Sequence, residues 1–184
     1  MNQKMYDFRL KLNFFSVKNI ATLRNAGPIK AQYAKTHNLD YEKLLDASEY
    51  KEYHRKQMVE WSESIRKNDP HYFLRLSIEE NDAINKPVWL MTDARRESDL
   101  IFFKGEQFKS AKLFTVRIVA SDETRKSRGW VYTPGIDDAT TECGLDNYTE
   151  WNIDIRNENL TEEDVIICLQ TVMNAIEEAL KTTK

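Results

Sequence analysis

Residues 86–99 read KPVWLMTDARRESD, and the fold class turns on what is made of them. Val88, Trp89, Leu90 and Met91 form an unbroken apolar run opened by Pro87, too short for a helix. Such a run predicts a strand buried on both faces, as in a parallel sheet. It stops at Thr92 and Asp93, and two adjacent arginines, Arg95 and Arg96, follow. Open α/β sheets bind their ligands at the carboxyl ends of strands, where this pair would sit. Neighbouring guanidiniums repel unless an anion answers them, and their planar forks match phosphate oxygens. A solvated turn in which the pair is neutralised by Glu97 and Asp99 is the alternative, and it stays open.

Outward from this stretch, the chain alternates strands and helices. Residues 7–14 place Phe8, Leu10, Leu12 and Phe14 on one side and Arg9, Lys11 and Asn13 on the other, predicting a half-buried edge strand. Residues 20–23 are a second short strand, and Gly27-Pro28 then turn the chain into a helix over 29–36 that carries Lys30. Residues 41–67 predict two helices, broken at Asn68-Asp69-Pro70, with a further short helix over 71–79. Beyond the central strand come a helix over 98–108 weakened by Gly105, and a β-branched strand over 113–120 with Arg117 inside it. A buried arginine there needs a partner. A charged helical turn follows, with Arg125 and Arg128 on one face, then an acidic loop over 130–146 and a strand within 148–155. The last helix, over 161–184, opens on Thr161 and Asp164 as a capping box and packs through Val165, Leu169, Val172, Ile176 and Leu180. Strands alternating with helices give an α/β fold with a mainly parallel sheet.

A chain of 184 residues with 41% hydrophobic and 31% charged residues is an ordinary globular domain. Its net charge of −3 argues against bulk attraction to nucleic acid or to anionic membrane. No segment approaches a membrane span, the N-terminus does not read as a signal peptide, and the terminal Lys-Thr-Thr-Lys is not a peroxisomal signal. Cys143 and Cys168 suggest neither a disulfide framework nor a metal site. His37, His54 and His71 lack ligand spacing, and the sequons at Asn147 and Asn159 are expected to be chance. Arginines nevertheless gather locally: Arg75, Arg95, Arg96, Arg117, Arg125 and Arg128. That local concentration in an acidic chain suits a small polyanion. Lys51 and Arg55, four apart on one helix, would add to it, or would form a solvated face with Glu52 and Glu63.

Several strings are more specific than composition: LRNAGPIKAQYA from Leu23, YEKLLD from Tyr41, EYKEYHRKQM from Glu49, PVWLMTDARRESD from Pro87 and RGWVYTPGIDDATTECGLDNY from Arg128. Together, from about Leu23 to Asn157, they resemble the animal-type phosphomevalonate kinases, of the nucleoside-monophosphate-kinase-like group. The resemblance implies a three-layer P-loop-kinase-like domain spanning 1–184, with a lid at about 121–129. It implies a monomeric cytosolic enzyme of isoprenoid, sterol and cholesterol biosynthesis that uses ATP and Mg²⁺ to phosphorylate (R)-5-phosphomevalonate. It places Lys30, Lys51, Arg55, Arg95 and Arg96 around the acceptor phosphate and the transferred group, with Asn157 as a substrate contact. It puts Arg125 and Arg128 on the lid over the nucleotide phosphates, with Arg117 as a further basic position beside them. Asp93 would orient a magnesium-bound water or cap the helix that follows it.

One departure carries a consequence. The family has a phosphate-binding loop after its first strand, whereas this sequence has no glycine before Gly27, and residues 1–22 read as atypical. Without G-x-x-x-x-G-K-[ST], the β- and γ-phosphates lack their backbone cradle. The expectation is a kinase by descent whose rate is impaired. A binder of phosphorylated metabolites, or a kinase acting on another small phosphorylated molecule, is the alternative.

Overall fold

The computed structural model describes residues 19–46 and 49–182. The strand expected over 7–14 lies outside the described residues. The chain divides into two compact units, one comprising Val17–Ala94 with Ser98–Phe102, the other Arg95–Glu97 with Phe103–Lys184.

In the first unit β1 (Ile20–Leu23) pairs in parallel with β2 (Val88–Met91), with Ile20 opposite Val88 and Leu23 opposite Met91. Parallel neighbours need a long crossover. It is made here of α1 (Ala26–His37), α2 (Tyr41–Leu45), α3 (Glu49–Asn68), α4 (Tyr72–Glu80) and a 3₁₀ turn at Ala83–Asn85. Residues 41–67 thus form the two expected helices. Tyr33, Ala34, Leu44 and Met58 pack α1, α2 and α3 together, with Ile29, Leu39, Tyr50 and Trp61 around them. Lys30 precedes Tyr33 and Ala34 by three and four positions, which aligns it with that packed face. On the other side Leu23, Phe73, Leu74 and Ala83 are buried, with Leu100 and Phe102 from α5 (Glu97–Phe103) nearly so.

In the second unit β3 (Val116–Val119) pairs in parallel with β4 (Ile153–Arg156), and Arg117 stands opposite Asp154. The crossover contains α6 (Asp122–Ser127) and α7 (Thr140–Cys143). α8 (Glu162–Thr182) opens with a reciprocal capping box. Asp164 N–H donates to Thr161 Oγ1 at 3.2 Å, and Thr161 N–H donates to Asp164 Oδ2 at 2.9 Å. The architecture is α/β, with small parallel sheets flanked by helices.

Several expectations need correction. β2 is not buried on both faces: Leu90 is 48% exposed, and among the described residues β2 pairs only with β1. An apolar run marks burial on both faces only where both faces are covered. The packing stripe of α8 is rotated, since Val165 and Leu169 are exposed while Met173 is buried. One residue is about 100° of helix, so a neighbouring apolar position can take over the contact. The helix expected over 98–108 stops at Phe103 and resumes as a 3₁₀ turn, Glu106–Phe108, after Gly105. The strand expected over 113–120 shortens to Val116–Val119, and the acidic loop contains α7.

Candidate functional site

The sequence-predicted residues divide between the two units. In the first, Lys30 on α1 and Lys51 and Arg55 on α3 lie close enough for their charges to act on one another. Burial pushes the Lys30 ammonium below its usual value, and repulsion first from Lys51 and then from Arg55 adds to this. Arg55 holds Glu52 in a bidentate pair, Nε to Oε2 and Nη2 to Oε1, both at 2.7 Å. That pair keeps the Glu52 carboxyl below the usual carboxylate range. Two helices therefore converge three cations, and the hydrophobic contacts of Tyr33 and Met58 fix the convergence. Glu52 is the partner the sequence anticipated, yet the strain on Lys30 persists beside it.

Asp93 lies two residues beyond β2 and acts at a distance. Its Oδ1 accepts from Asn25 N–H and its Oδ2 from Ala26 N–H, each at 2.9 Å. Asn25 makes no side-chain cap of its own, and its Nδ2 donates instead to Asp99 at 3.1 Å. Asp93 thus supplies the carboxylate that a helix N-terminus favours, to α1 rather than to the helix that follows it in sequence. The turn that starts the Lys30 helix is thereby tied to the carboxyl end of β2. Asp99, 2% exposed, faces Asn25.

In the second unit Arg95 pairs with Glu142 on α7. The backbone there approaches closely: a Cβ on Gly144 would lie 2.6 Å from the Arg95 carbonyl oxygen and 3.1 Å from that of Thr140. Arg96, half-buried, is the next residue and precedes α5. Arg117, half-buried rather than buried, has partners in Asp146 at 3.8 Å and the Trp151 ring at 5.7 Å. Arg125 lies 3.7 Å over the Trp130 ring and 3.4 Å from Asp122. Arg128 Nη2 donates to the Asn157 carbonyl at 3.1 Å and to its Oδ1 at 3.4 Å. Two predicted residues thus touch directly. Asn157 N–H donates to Val119 O at 2.7 Å, so the contact sits at the carboxyl ends of β3 and β4, where such sheets collect their ligands.

Glu158 was not singled out from sequence. Its carboxylate accepts from Ser121 N–H at 2.6 Å, from Ser121 Oγ at 3.1 Å and from the Thr124 hydroxyl. Those hydrogen bonds hold it below the usual carboxylate range, with Arg128 adding to the effect. Trp130 Nε1 and Thr133 N–H both donate to Asp137, at 3.2 and 2.6 Å, and stiffen the loop after α6.

Among the described residues no three His, Cys, Asp or Glu side chains gather to hold a metal ion. A magnesium ion carried on a triphosphate needs only one or two protein carboxylates, because phosphates and water complete its octahedron. Asp93 keeps lone pairs for such a role beyond the two amides it accepts. No described helix is long and apolar enough to cross a membrane.

The comparisons with known proteins bear on most of the chain. A family model described as phosphomevalonate kinase matches residues 7–110. That span starts upstream of Leu23, where the quoted motifs begin. A protein of Drosophila melanogaster named phosphomevalonate kinase is 34% identical over 148 residues, covering 78% of this chain and 77% of that relative. The motifs, the parallel α/β architecture and these two matches agree, and the chain belongs to the phosphomevalonate kinase family.

Proposed function

We propose that the chain transfers the γ-phosphoryl group of ATP to the phosphate of (R)-5-phosphomevalonate, giving 5-diphosphomevalonate and ADP in the mevalonate route to isoprenoids and sterols. An oxygen of the acceptor phosphate forms the new bond to the γ-phosphorus, and the bond from that phosphorus to the β,γ-bridging oxygen breaks. Two polyanions meet in this step, so positioning and charge neutralisation supply most of the catalysis. The observation that carries the reading is the convergence of Lys30, Lys51 and Arg55, with burial and like charge depressing the Lys30 ammonium. A dianionic ester is the ligand that relieves such an arrangement.

In this reading Lys30, Lys51, Arg55, Arg95 and Arg96 surround the acceptor phosphate and the transferred group, and Asn157 contacts the substrate. Arg117, Arg125 and Arg128 bind the nucleotide phosphates, and residues 121–129 form a lid that brings Arg125 and Arg128 to the transferred group and excludes water. Mg²⁺ bound to ATP would withdraw charge from the phosphate oxygens, and Asp93 is the carboxylate that would hold one of its waters. The enzyme works as a cytosolic monomer.

One sequence feature favours a second reading, a binder of phosphorylated metabolites. No glycine precedes Gly27, so the given residues hold no G-x-x-x-x-G-K-[ST] loop. Release of ADP with MgATP and 5-phosphomevalonate, together with calorimetric titration of each ligand alone, separates the two. Slow turnover dependent on 5-phosphomevalonate supports the kinase. Acceptor binding without turnover supports the binder, and turnover of a nucleoside monophosphate in preference refutes the substrate assignment.

A further inference from the structure

Asn157 and Glu158 follow directly on β4, and between them they grip α6 at both ends. At the first turn Glu158 accepts from the Ser121 amide, the Ser121 hydroxyl and the Thr124 hydroxyl. Ser121 Oγ in turn accepts from Thr124 N–H at 3.2 Å, and Thr124 is 7% exposed. At the last turn the grip is Arg128 on two neutral oxygens of Asn157, at 3.1 and 3.4 Å, and Arg128 is exposed.

The two grips differ in kind. The first sets one ionised carboxylate against three donors around a buried threonine, and charge-assisted bonds of this type are short and strong. The second sets an exposed guanidinium against uncharged acceptors, a weaker contact that an anionic oxygen outcompetes. We propose that Glu158 is a positioning residue: it pins the root of the arginine-bearing helix to the end of β4, so that Arg128 can leave Asn157 for a phosphate while Arg125 and Arg128 keep their register. The pin itself is independent of the reaction. Its consequence for nucleotide binding rests on the reading that these arginines meet nucleotide phosphates.

The pin has a sequence counterpart that is easy to overlook. Ser121 alone reads as an ordinary N-cap for a six-residue helix. A helix that short has little stability of its own. A carboxylate from just beyond β4, 37 residues away, gives its first turn a fixed origin. Glu158 therefore acts on the site only through α6 and touches none of the phosphates itself.

The test compares the wild-type chain with Glu158→Gln, Glu158→Asp and Ser121→Ala by amide hydrogen exchange without ligand, and by the KM values for ATP and acceptor. Glu158→Gln is expected to speed exchange over 124–128 and to raise the KM for ATP, each by about tenfold, the effect of losing one charge-assisted bond. The KM for the acceptor should stay within about twofold, since Asn157 keeps its backbone bond to Val119 and Lys30, Lys51 and Arg55 lie on other helices. Glu158→Asp, which keeps the charge, should recover part of both losses. Ser121→Ala should shift both in the same direction by less, and it decides the matter if the glutamine variant does not fold. Unchanged exchange over 124–128 overturns the proposal, as does a proportional rise in both KM values, which marks general damage. If the wild type does not turn over, the kinase reading fails by itself and the exchange data still decide whether Glu158 is the pin.

Discussion

Lys30 in the first unit and the arginines of the second are held in different ways. In the first, Lys30 is half-buried beside Lys51 and Arg55, and the cluster works against itself. In the second, each of Arg95, Arg117, Arg125 and Arg128 leans on a carboxylate, an aromatic face or a carbonyl. On the proposed function an anionic ligand would relieve the first arrangement, where burial and then like charge disfavour the Lys30 ammonium. The second is already neutralised, so a ligand must win an exchange. A lysine cluster of the first kind costs the fold something and gives affinity in return. Partnered arginines cost little and give selectivity, because only a strong anion displaces their partners.

The sharpest way to break this contrast is Arg128→Gln. Loss of an arginine that meets the transferred phosphoryl group is expected to lower kcat by about 10³-fold or more. Thermal stability should stay within about 0.5 kcal/mol, because the residue is exposed. A rate within a few-fold of wild type would mean that the partnered arginines are structural.

Lys30→Met comes next, with the acceptor KM expected to rise by roughly 10–100-fold, the worth of one to two charge-assisted contacts. Its stability should move the other way. Because the folded chain holds Lys30 below its ordinary 10.5, the unfolded chain binds more protons in the window beneath that value. Stability therefore rises with pH through that window and is lost as pH falls through the folded value. Urea unfolding at several pH values should show this slope in wild type and a flatter one in the variant. Loss of stability on removing Lys30 would refute the idea that its buried, repelled charge burdens the fold.

Gly144→Ala tests the seat of Arg95. The new Cβ would fall 2.6 Å from a backbone oxygen, so the backbone must shift. Overpacking of this kind costs about 1–3 kcal/mol, readable as a lower urea midpoint. Arg95→Gln should be the gentlest change to the fold. The exposed pair with Glu142 is worth less than about 1 kcal/mol, while acceptor affinity should still weaken. A large loss of stability would move Arg95 to the structural side of the comparison.

Much of this was legible beforehand because the signals were local. Pro70 stops α3, Gly105 interrupts the segment after α5, and Thr161 with Asp164 opens α8. Lys51 and Arg55 share a face by spacing alone, and their meeting with Lys30 followed from the motifs. What escaped notice depends on contacts across the chain. Glu158 reads as one more acid until the β3–β4 register brings it against Ser121. Asp93 reads either as holding a magnesium-bound water or as capping the next helix, and the cap it makes serves a helix that starts 67 residues earlier. The apolar run of β2 could not reveal that Leu90 is exposed, because strand burial depends on neighbours and not on composition. Arg66, 8% exposed with its guanidinium 5.2 Å from the Phe73 ring, is another buried cation that helical spacing alone does not disclose.

The crowding around Lys30 also bears on how such a protein can drift. A laboratory selection for heat tolerance alone, with no demand for turnover, has an easy first step at this lysine, since replacing it removes a liability. On the proposed function, lineages under metabolic demand are denied that step. The position should therefore separate populations kept for durability from those kept for flux, and sequencing survivors of the two regimes would read the difference directly.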